Sequence, residues 1–161
     1  MKKNVLFILL LTVLISACEK DDFCIKNPVT PNLVLRFYDT NDRETLKDVE
    51  RLSIWAENKD TITNYKSINI DSVAIPLNSL ATKTIYHLKM NNSDGSITNN
   101  QTATFTITYT TQEEYVSRSC GFKILFNDVT FESDNTWITE FTPEILTTID
   151  NQNAAHVQIF H

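Results

Sequence analysis

The side chains able to act as general acids, bases or metal ligands are scattered along this sequence. His87, His156 and His161 are its only histidines, and a lone histidine in a strand more often packs or faces solvent than catalyses. His156 and His161 lie an odd number of residues apart on a predicted strand, so their side chains face opposite ways and cannot chelate together. The adjacent Glu113 and Glu114 also point apart on an extended chain, which favours a solvated turn over an acid/base pair.

Motifs that depend on glycine are excluded. Gly95 and Gly121 are the only two glycines, so neither a GxSxG nucleophile elbow nor a phosphate-binding loop exists. The segment 39–44 places oxygen ligands close together, but it lacks the glycine and the final glutamate of a calcium loop, and a polar turn is favoured. The sequence therefore predicts a non-enzyme with no cofactor and no metal site. An enzyme site assembled from distant loops stays open as the alternative.

One cysteine carries a definite chemical prediction. Lys2 and Lys3 precede an apolar run from Val5 to Ile15, which is the layout of an export signal. The run ends in Ile15-Ser16-Ala17-Cys18, which resembles the bacterial lipobox, in which the cysteine thiol receives a diacylglycerol before cleavage. We expect residues 1–17 to be the signal peptide and Cys18 to be lipidated, the alternative being an ordinary secretory cleavage site.

The partner implied by this site is a membrane, reached through the lipid. The apolar run is too short for a transmembrane helix, which takes about 20 residues, and no later segment has 18 consecutive apolar residues. Acyl chains contribute about 0.8 kcal/mol per buried CH₂, so two or more of them hold stably. We expect an exported protein that is lipid-anchored to the outer membrane, with a water-soluble domain.

The charge of the mature chain argues against nucleic acid as a partner. Without Lys2 and Lys3, 12 basic and 20 acidic residues remain, which gives a formal net charge of −8. Such a chain repels phosphate backbones, and no cluster of lysine and arginine interleaved with aromatic residues offsets this repulsion.

Two cysteines remain after lipidation of Cys18. In an exported protein, Cys24 and Cys120 most simply form one disulfide, the alternative being two free buried thiols. A metal site is disfavoured because no CxxC or HxxxH pair accompanies them. The disulfide would hold the segment after Cys18 against the domain.

The rest of the chain has the pattern of a β protein. β-Branched and aromatic residues alternate with polar ones in short segments separated by turn residues. The sequence predicts an all-β fold, a single antiparallel β-sandwich of immunoglobulin-like or similar Greek-key type, over residues 33–161 as one domain. The predicted strands are 33–38, 50–57, 72–78, 83–91, 103–110, 120–126, 128–133 and 154–161.

Period-two alternation predicts which side chains face the core. In 103–110, the residues Phe105, Ile107 and Tyr109 face one way and four threonines the other. That threonine face is either a binding platform or an ordinary exposed strand surface, and the latter is favoured. Two further inward sets follow from the same period, Phe122 with Ile124 and Phe126, and Leu52 with Ile54 and Ala56 or, alternatively, Trp55.

Turn and helix signals are few. Asp94-Gly95 suits a hairpin connection, and Pro76 places its segment at a sheet edge or a bulge because proline lacks an amide donor. Little or no helix is expected after the signal peptide. The best helical candidate is 143–149, with Thr142 as its cap, and a strand there stays open.

Several short motifs together resemble a known family. The chain is similar to small uncharacterised lipoproteins of Bacteroidota that are grouped as a domain of unknown function. The resemblance implies a compact β-domain and the paired positions Cys24 and Cys120, and it brings no activity or catalytic residue. It is carried by Cys18, Asp22-Phe23-Cys24, Thr30-Pro31-Asn32-Leu33, Ile75-Pro76-Leu77, Cys120-Gly121 and His156-Val157-Gln158-Ile159-Phe160.

The residues after the lipidation site have two interpretations. Residues 18–32 carry consecutive charges and two prolines, which is typical of a short extended tether. Lys20, Asp21 and Asp22 also resemble the signal that sends Bacteroidota lipoproteins to the cell surface. Surface exposure and a periplasm-facing anchor are therefore both open.

Surface features suggest what the domain could bind. Asp60-Thr61-Ile62 and Asp71-Ser72-Val73 resemble the O-glycosylation acceptor of Bacteroidota, which makes Thr61 and, less strongly, Ser72 candidates for modification. An exposed Trp55 or Trp137 on a flat face would favour a glycan partner, whereas a wide apolar patch would favour a protein of the envelope. We expect a non-catalytic binding or structural module, with an accessory subunit of a glycan-uptake or assembly complex as the alternative.

Overall fold

The computed structural model describes Cys24, residues 30–91 and residues 99–161. The predicted signal peptide, Cys18, the segment Lys20 to Asp22, most of the tether and the Asp94-Gly95 turn lie outside the described residues. The described chain divides into two compact units. We call Cys24 with Tyr115–Lys123 the tip unit, and residues 30–91, 99–114 and 124–161 the main unit.

The described residues form an all-β fold of two packed sheets, which confirms the predicted fold class. A four-stranded sheet has the order β4-β1-β10-β8 and a six-stranded sheet the order β3-β2-β5-β6-β7-β9. A single 3₁₀ turn lies at Thr63–Tyr65, and no α-helix occurs in this part of the chain. The strands are β1 Leu33–Tyr38, β2 Val49–Ala56, β3 Ile68–Ile70, β4 Ser72–Ile75, β5 Lys83–Met90, β6 Gln101–Ser117, β7 Gly121–Ser133, β8 Glu140–Thr142, β9 Ile145–Ile149 and β10 Val157–Phe160.

Buried and less buried side chains alternate along the strands that form the core, as predicted. In β6 the side chains of Phe105, Ile107 and Tyr109 are buried, while the threonines between them are not. β5 pairs with β6 so that Tyr86 lies opposite Phe105, and both rings are buried. The inward set of β2 contains Leu52 and Ile54 rather than Trp55.

Two strands that were predicted separately form one continuous strand in the structure. Segments 120–126 and 128–133 form the single strand β7, and Asp128 within it has a left-handed φ of 53°. Phe126 and Val129 are both buried, so the inward-facing positions change parity across this residue. The prediction that Phe122 faces the core is wrong, because its side chain is 61% exposed.

The C-terminal part departs furthest from the prediction. Of the two alternatives left open for 143–149, the structure shows the strand, since Ile145–Ile149 is β9, whose backbone pairs antiparallel with β7 and so satisfies its hydrogen-bonding groups there. β10 pairs parallel with β1, so the sandwich is not purely antiparallel. The segments 72–78 and 154–161 are also shorter than predicted, because β4 ends before Pro76 and β10 covers only Val157–Phe160. Pro76 follows an edge strand, as expected from its missing amide donor.

Candidate functional site

The outer face of the six-stranded sheet carries an aromatic pair. Because Ile54 on β2 and Leu88 on β5 point into the core, their neighbours Trp55 and His87 point outward. The two strands are in register at this position. The rings of Trp55 and His87 lie 5.4 Å apart between centroids and are tilted by 31°. This pair fixes the indole against the sheet while leaving it half-buried rather than covered.

A turn after β2 brings polar side chains beside this indole. The Lys59 N–H donates to the Ala56 carbonyl over 3.0 Å, and the Ile62 N–H donates to the Ile54 carbonyl over 2.9 Å. Thr61 consequently forms an antiparallel bridge with Trp55. The turn borders an open surface depression of about 310 Å³, here called the Trp55 cavity, which is lined by Ser53, Trp55, Lys59, Asp60, Thr61 and Lys89.

The Trp55 cavity combines one aromatic ring with hydrogen-bonding groups of both kinds. Lys59 and Lys89 supply ammonium donors, Asp60 a carboxylate acceptor, and Thr61 a hydroxyl. Five of its six lining residues are polar or charged, and such a set offers hydrogen bonds to a ligand with many hydroxyl groups. The Ser53 hydroxyl is engaged by the protein itself, since it accepts a hydrogen bond from the Ser67 N–H over 3.0 Å.

The three histidines lie in separate environments. His156 Nδ1 accepts a hydrogen bond of 2.9 Å from the Val34 N–H. His161 packs edge-on against Trp137, with ring centroids 5.5 Å apart. Burial lowers the pKa of both His156 and His161. These contacts are structural, and none of the histidines contacts another.

The acidic segment 39–44 is a polar turn. The Asp39 carboxylate accepts from the Asn41 N–H at 2.7 Å and from the Asp42 N–H at 3.2 Å, and it pairs with Lys47 at 3.0 Å. The Asn41 bond first, and then the Lys47 bond, lower the pKa of Asp39 to about 2. Its oxygens are thus occupied by the protein itself. Within the described ranges, no group of three or more histidine, cysteine or acidic side chains could hold a metal ion.

The candidate glycosylation sites differ in accessibility. Thr61 lies half-buried at the rim of the Trp55 cavity. Ser72 lies in strand β4, where its hydroxyl donates to the Leu35 carbonyl over 3.3 Å. Modification of either residue stays a prediction, and the geometry favours Thr61 because the Ser72 hydroxyl is already engaged.

Of the two tryptophans, only Trp55 is available to a ligand. Trp137 is buried, and its indole N–H donates to the Leu88 carbonyl over 2.9 Å. The idea that Trp137 belongs to an exposed binding face is therefore wrong. Glu113 and Glu114 are solvent-exposed as expected, but they lie within strand β6 and not in a turn.

The tip unit holds an aromatic pair that the sequence pattern did not reveal. Tyr115 and Phe122 are 59% and 61% exposed, and their ring centroids lie 5.4 Å apart. The same unit contains the predicted disulfide between Cys24 and Cys120, with the two Cα atoms 4.8 Å apart. The sequence signal for this aromatic pair is that Tyr115 and Phe122 lie on either side of Cys120, within a few residues of it.

Fold and site together define a two-sheet β protein whose main unit carries an open surface depression beside Trp55. The model of a family of unknown function, DUF6452, matches residues 51–161. The chain belongs to this family, which confirms the expected membership of a family without known activity. No curated protein and no solved structure matches the chain. No helix among the residues described is long and apolar enough to cross a membrane.

Proposed function

We propose that this protein is a lipid-anchored protein of the bacterial outer membrane that acts as a non-catalytic binding or structural module. The observation that carries the proposal is the sequence Ile15-Ser16-Ala17-Cys18 directly behind a basic and apolar export signal. Diacylglycerol on Cys18 supplies the membrane contact. The water-soluble β-domain then projects from the lipid, on the cell surface or on the periplasmic face.

The contacts of the main unit support a role without catalysis. The candidate bases are engaged structurally, since His156 accepts a backbone hydrogen bond and His87 stacks on Trp55. Asp39 is held ionised by donors of its own turn. A general base must reach a reacting proton within hydrogen-bond distance of a nucleophile, and the described residues offer no such pair in the Trp55 cavity.

Lipidation is tested by labelling and mass spectrometry in the bacterium that makes the protein. We expect wild-type protein to incorporate radioactive palmitate and Cys18→Ser to lose it completely, because only a thiol at this position accepts diacylglycerol. Cys24→Ser is the matched control, since it removes a thiol six residues further on and should keep the label. Labelled Cys18→Ser, or an unlabelled wild type, would contradict the proposal.

The side of the membrane is tested by protease treatment of intact cells. The charged residues Lys20, Asp21 and Asp22 follow the lipidated cysteine and resemble a surface-export signal. If the domain lies outside, protease removes it from intact cells, and replacing these three residues by alanine protects it. Survival of the wild-type domain until the outer membrane is opened would assign it to the periplasmic face.

A second candidate function is glycan binding, as an accessory subunit of an outer-membrane uptake or assembly complex. The Trp55 cavity favours it, because a half-buried indole offers a flat apolar surface to a sugar ring beside polar groups that can bond its hydroxyls. Affinity electrophoresis in gels containing β-glucan, α-mannan or hyaluronan tests it. We expect retardation that Trp55→Ala abolishes and Tyr115→Ala preserves. Equal mobility of wild type and Trp55→Ala in every gel would refute it.

A further inference from the structure

The tip unit exposes two large aromatic side chains that contact each other. Tyr115 lies near the end of β6 and Phe122 near the start of β7, and these strands are neighbours in the six-stranded sheet. More than half of each side chain is exposed. Contiguous exposed apolar surface, unlike scattered single residues, marks contacts with proteins or membranes.

The disulfide restricts where this pair can be. Cys120 lies two residues before Phe122 and is bonded to Cys24. Cys24 lies six positions after Cys18, and six fully extended residues span at most about 20–22 Å. A lipid on Cys18 therefore keeps the tip unit within about 20 Å of the bilayer, whatever path the intervening chain takes.

The composition of the tip unit suits a membrane surface better than that of the whole chain. Its segment Tyr115–Lys123 contains Arg118 and Lys123 and no acidic residue, although the chain carries a formal net charge of −6. Tyrosine is enriched where membrane meets water, because its ring is apolar and its hydroxyl stays hydrated.

We propose that the Tyr115–Phe122 pair docks on the lipid bilayer, at the boundary between headgroups and acyl chains, beside the lipid carried by Cys18. The inference rests on the proposed lipid anchoring and adds a second membrane contact to it. Two contacts, joined through the Cys24–Cys120 bond, hold the tip unit at the membrane instead of leaving it on a free tether.

The test uses the full lipidated protein, reconstituted in vesicles of phosphatidylethanolamine and phosphatidylglycerol with brominated acyl chains. Phe122→Trp places a fluorophore in the docking pair, and Tyr115→Trp is a second variant should the first not fold. Leu80→Trp is the matched control, because Leu80 is 96% exposed and belongs to the main unit. Wild-type protein gives the emission of the native tryptophans, which is subtracted.

We expect the added emission of Phe122→Trp to shift to shorter wavelength and to be lost through bromine quenching, while that of Leu80→Trp keeps both wavelength and intensity. An unquenched Phe122→Trp in protein that floats with the vesicles overturns docking and leaves lipid anchoring intact. Protein without lipid mass on Cys18 that fails to float overturns both. A shift that appears without vesicles and grows with protein concentration assigns the pair to a second copy, which also overturns docking.

Discussion

Removal of one hydroxyl group, in Tyr109→Phe, should destabilise the main unit measurably. Three hydrogen bonds form a closed ring at this position. The Asn78 N–H donates to Thr84 Oγ1 over 3.0 Å, and the Tyr109 hydroxyl donates to the Asn78 carbonyl over 2.8 Å. Since the phenol has a single hydrogen, the bond between the Thr84 and Tyr109 hydroxyls must use the hydrogen of Thr84. The ring fastens the segment after β4 to both β5 and β6.

The expected loss of stability follows from the polar groups that each substitution leaves without a hydrogen-bond partner. Tyr109→Phe deprives the Thr84 hydroxyl of its acceptor and the Asn78 carbonyl of one of its two donors, the other being the Ala81 N–H at 3.2 Å. Thr84 is only 8% exposed, whereas Asn78 is exposed and can bond water instead. A buried group left unpaired costs about 1–3 kcal/mol, so with one such group we expect a loss of about 1–2 kcal/mol. Thr84→Val should cost a similar amount, and the double variant about 1 kcal/mol less than the sum.

Urea denaturation measures these differences as shifts of the midpoint at constant slope. The melting temperature should fall by about 2–8 °C per kcal/mol for a domain of this size. Tyr38→Phe is the matched control, because no hydrogen bond of the Tyr38 hydroxyl occurs within the described residues. The reasoning is refuted if Tyr109→Phe costs no more than this control, or if the costs of Tyr109→Phe and Thr84→Val simply add.

Three further outcomes are expected. Reduction of the Cys24–Cys120 bond should lower the melting temperature, because the bond closes a loop of sequence separation 96. The loss of loop-entropy stabilisation is up to about 4.7 kcal/mol. A variant with serine at both positions should no longer respond to reductant. Burial lowers the pKa of His156, so the unfolded state takes up a proton first and stability should fall as pH drops below about 6.5, with a smaller slope in His156→Gln by urea titration. An unchanged slope would contradict this. Asp128→Val should destabilise the protein by about 1–2 kcal/mol, whereas Glu132→Val on the same strand should not.

Much of the fold could be predicted because it depends on local alternation. In β1 and in residues 103–109 of β6 every second residue is apolar, and a strand with one buried face requires that pattern. The fold class, the bounds of β1 and the inward set Phe105, Ile107 and Tyr109 follow from it. The disulfide could be predicted by counting cysteines, since Cys24 and Cys120 are the two that remain after the lipobox cysteine.

The remaining features depend on contacts between distant residues. β3 and β8 have three residues each, too few to show a period. β1 and β10 pair parallel although more than 110 residues separate them, and no local pattern specifies that partner. Which of the two tryptophans is buried also depends on a contact between residues far apart in the sequence, since the Trp137 indole N–H donates to the carbonyl of Leu88, 49 residues away.

The Trp55 cavity was predictable only in its parts. Trp55 and Thr61 were each candidates from sequence, as an aromatic residue for sugar binding and as an acceptor for glycosylation. What joins them is the turn after β2, in which Asn58 has a left-handed φ of 58° and the chain returns along the strand. Asparagine tolerates that conformation, but it does so in many turns, so its presence alone locates no cavity.

The backbone conformation of Asp128 explains why the polar pair Asn127-Asp128 does not end strand β7. A break was predicted at this point between 120–126 and 128–133, yet β7 continues with φ of 53° at Asp128, and this one left-handed residue shifts the buried positions from Phe126 to Val129. Aspartate adopts such a φ with little strain, whereas a β-branched valine crowds the backbone there. Glu132 is equally exposed but is free of the left-handed requirement, and valine favours strands. If urea denaturation found the same cost for valine at both positions, a positive φ at Asp128 would not be what holds the two halves of β7 in one strand.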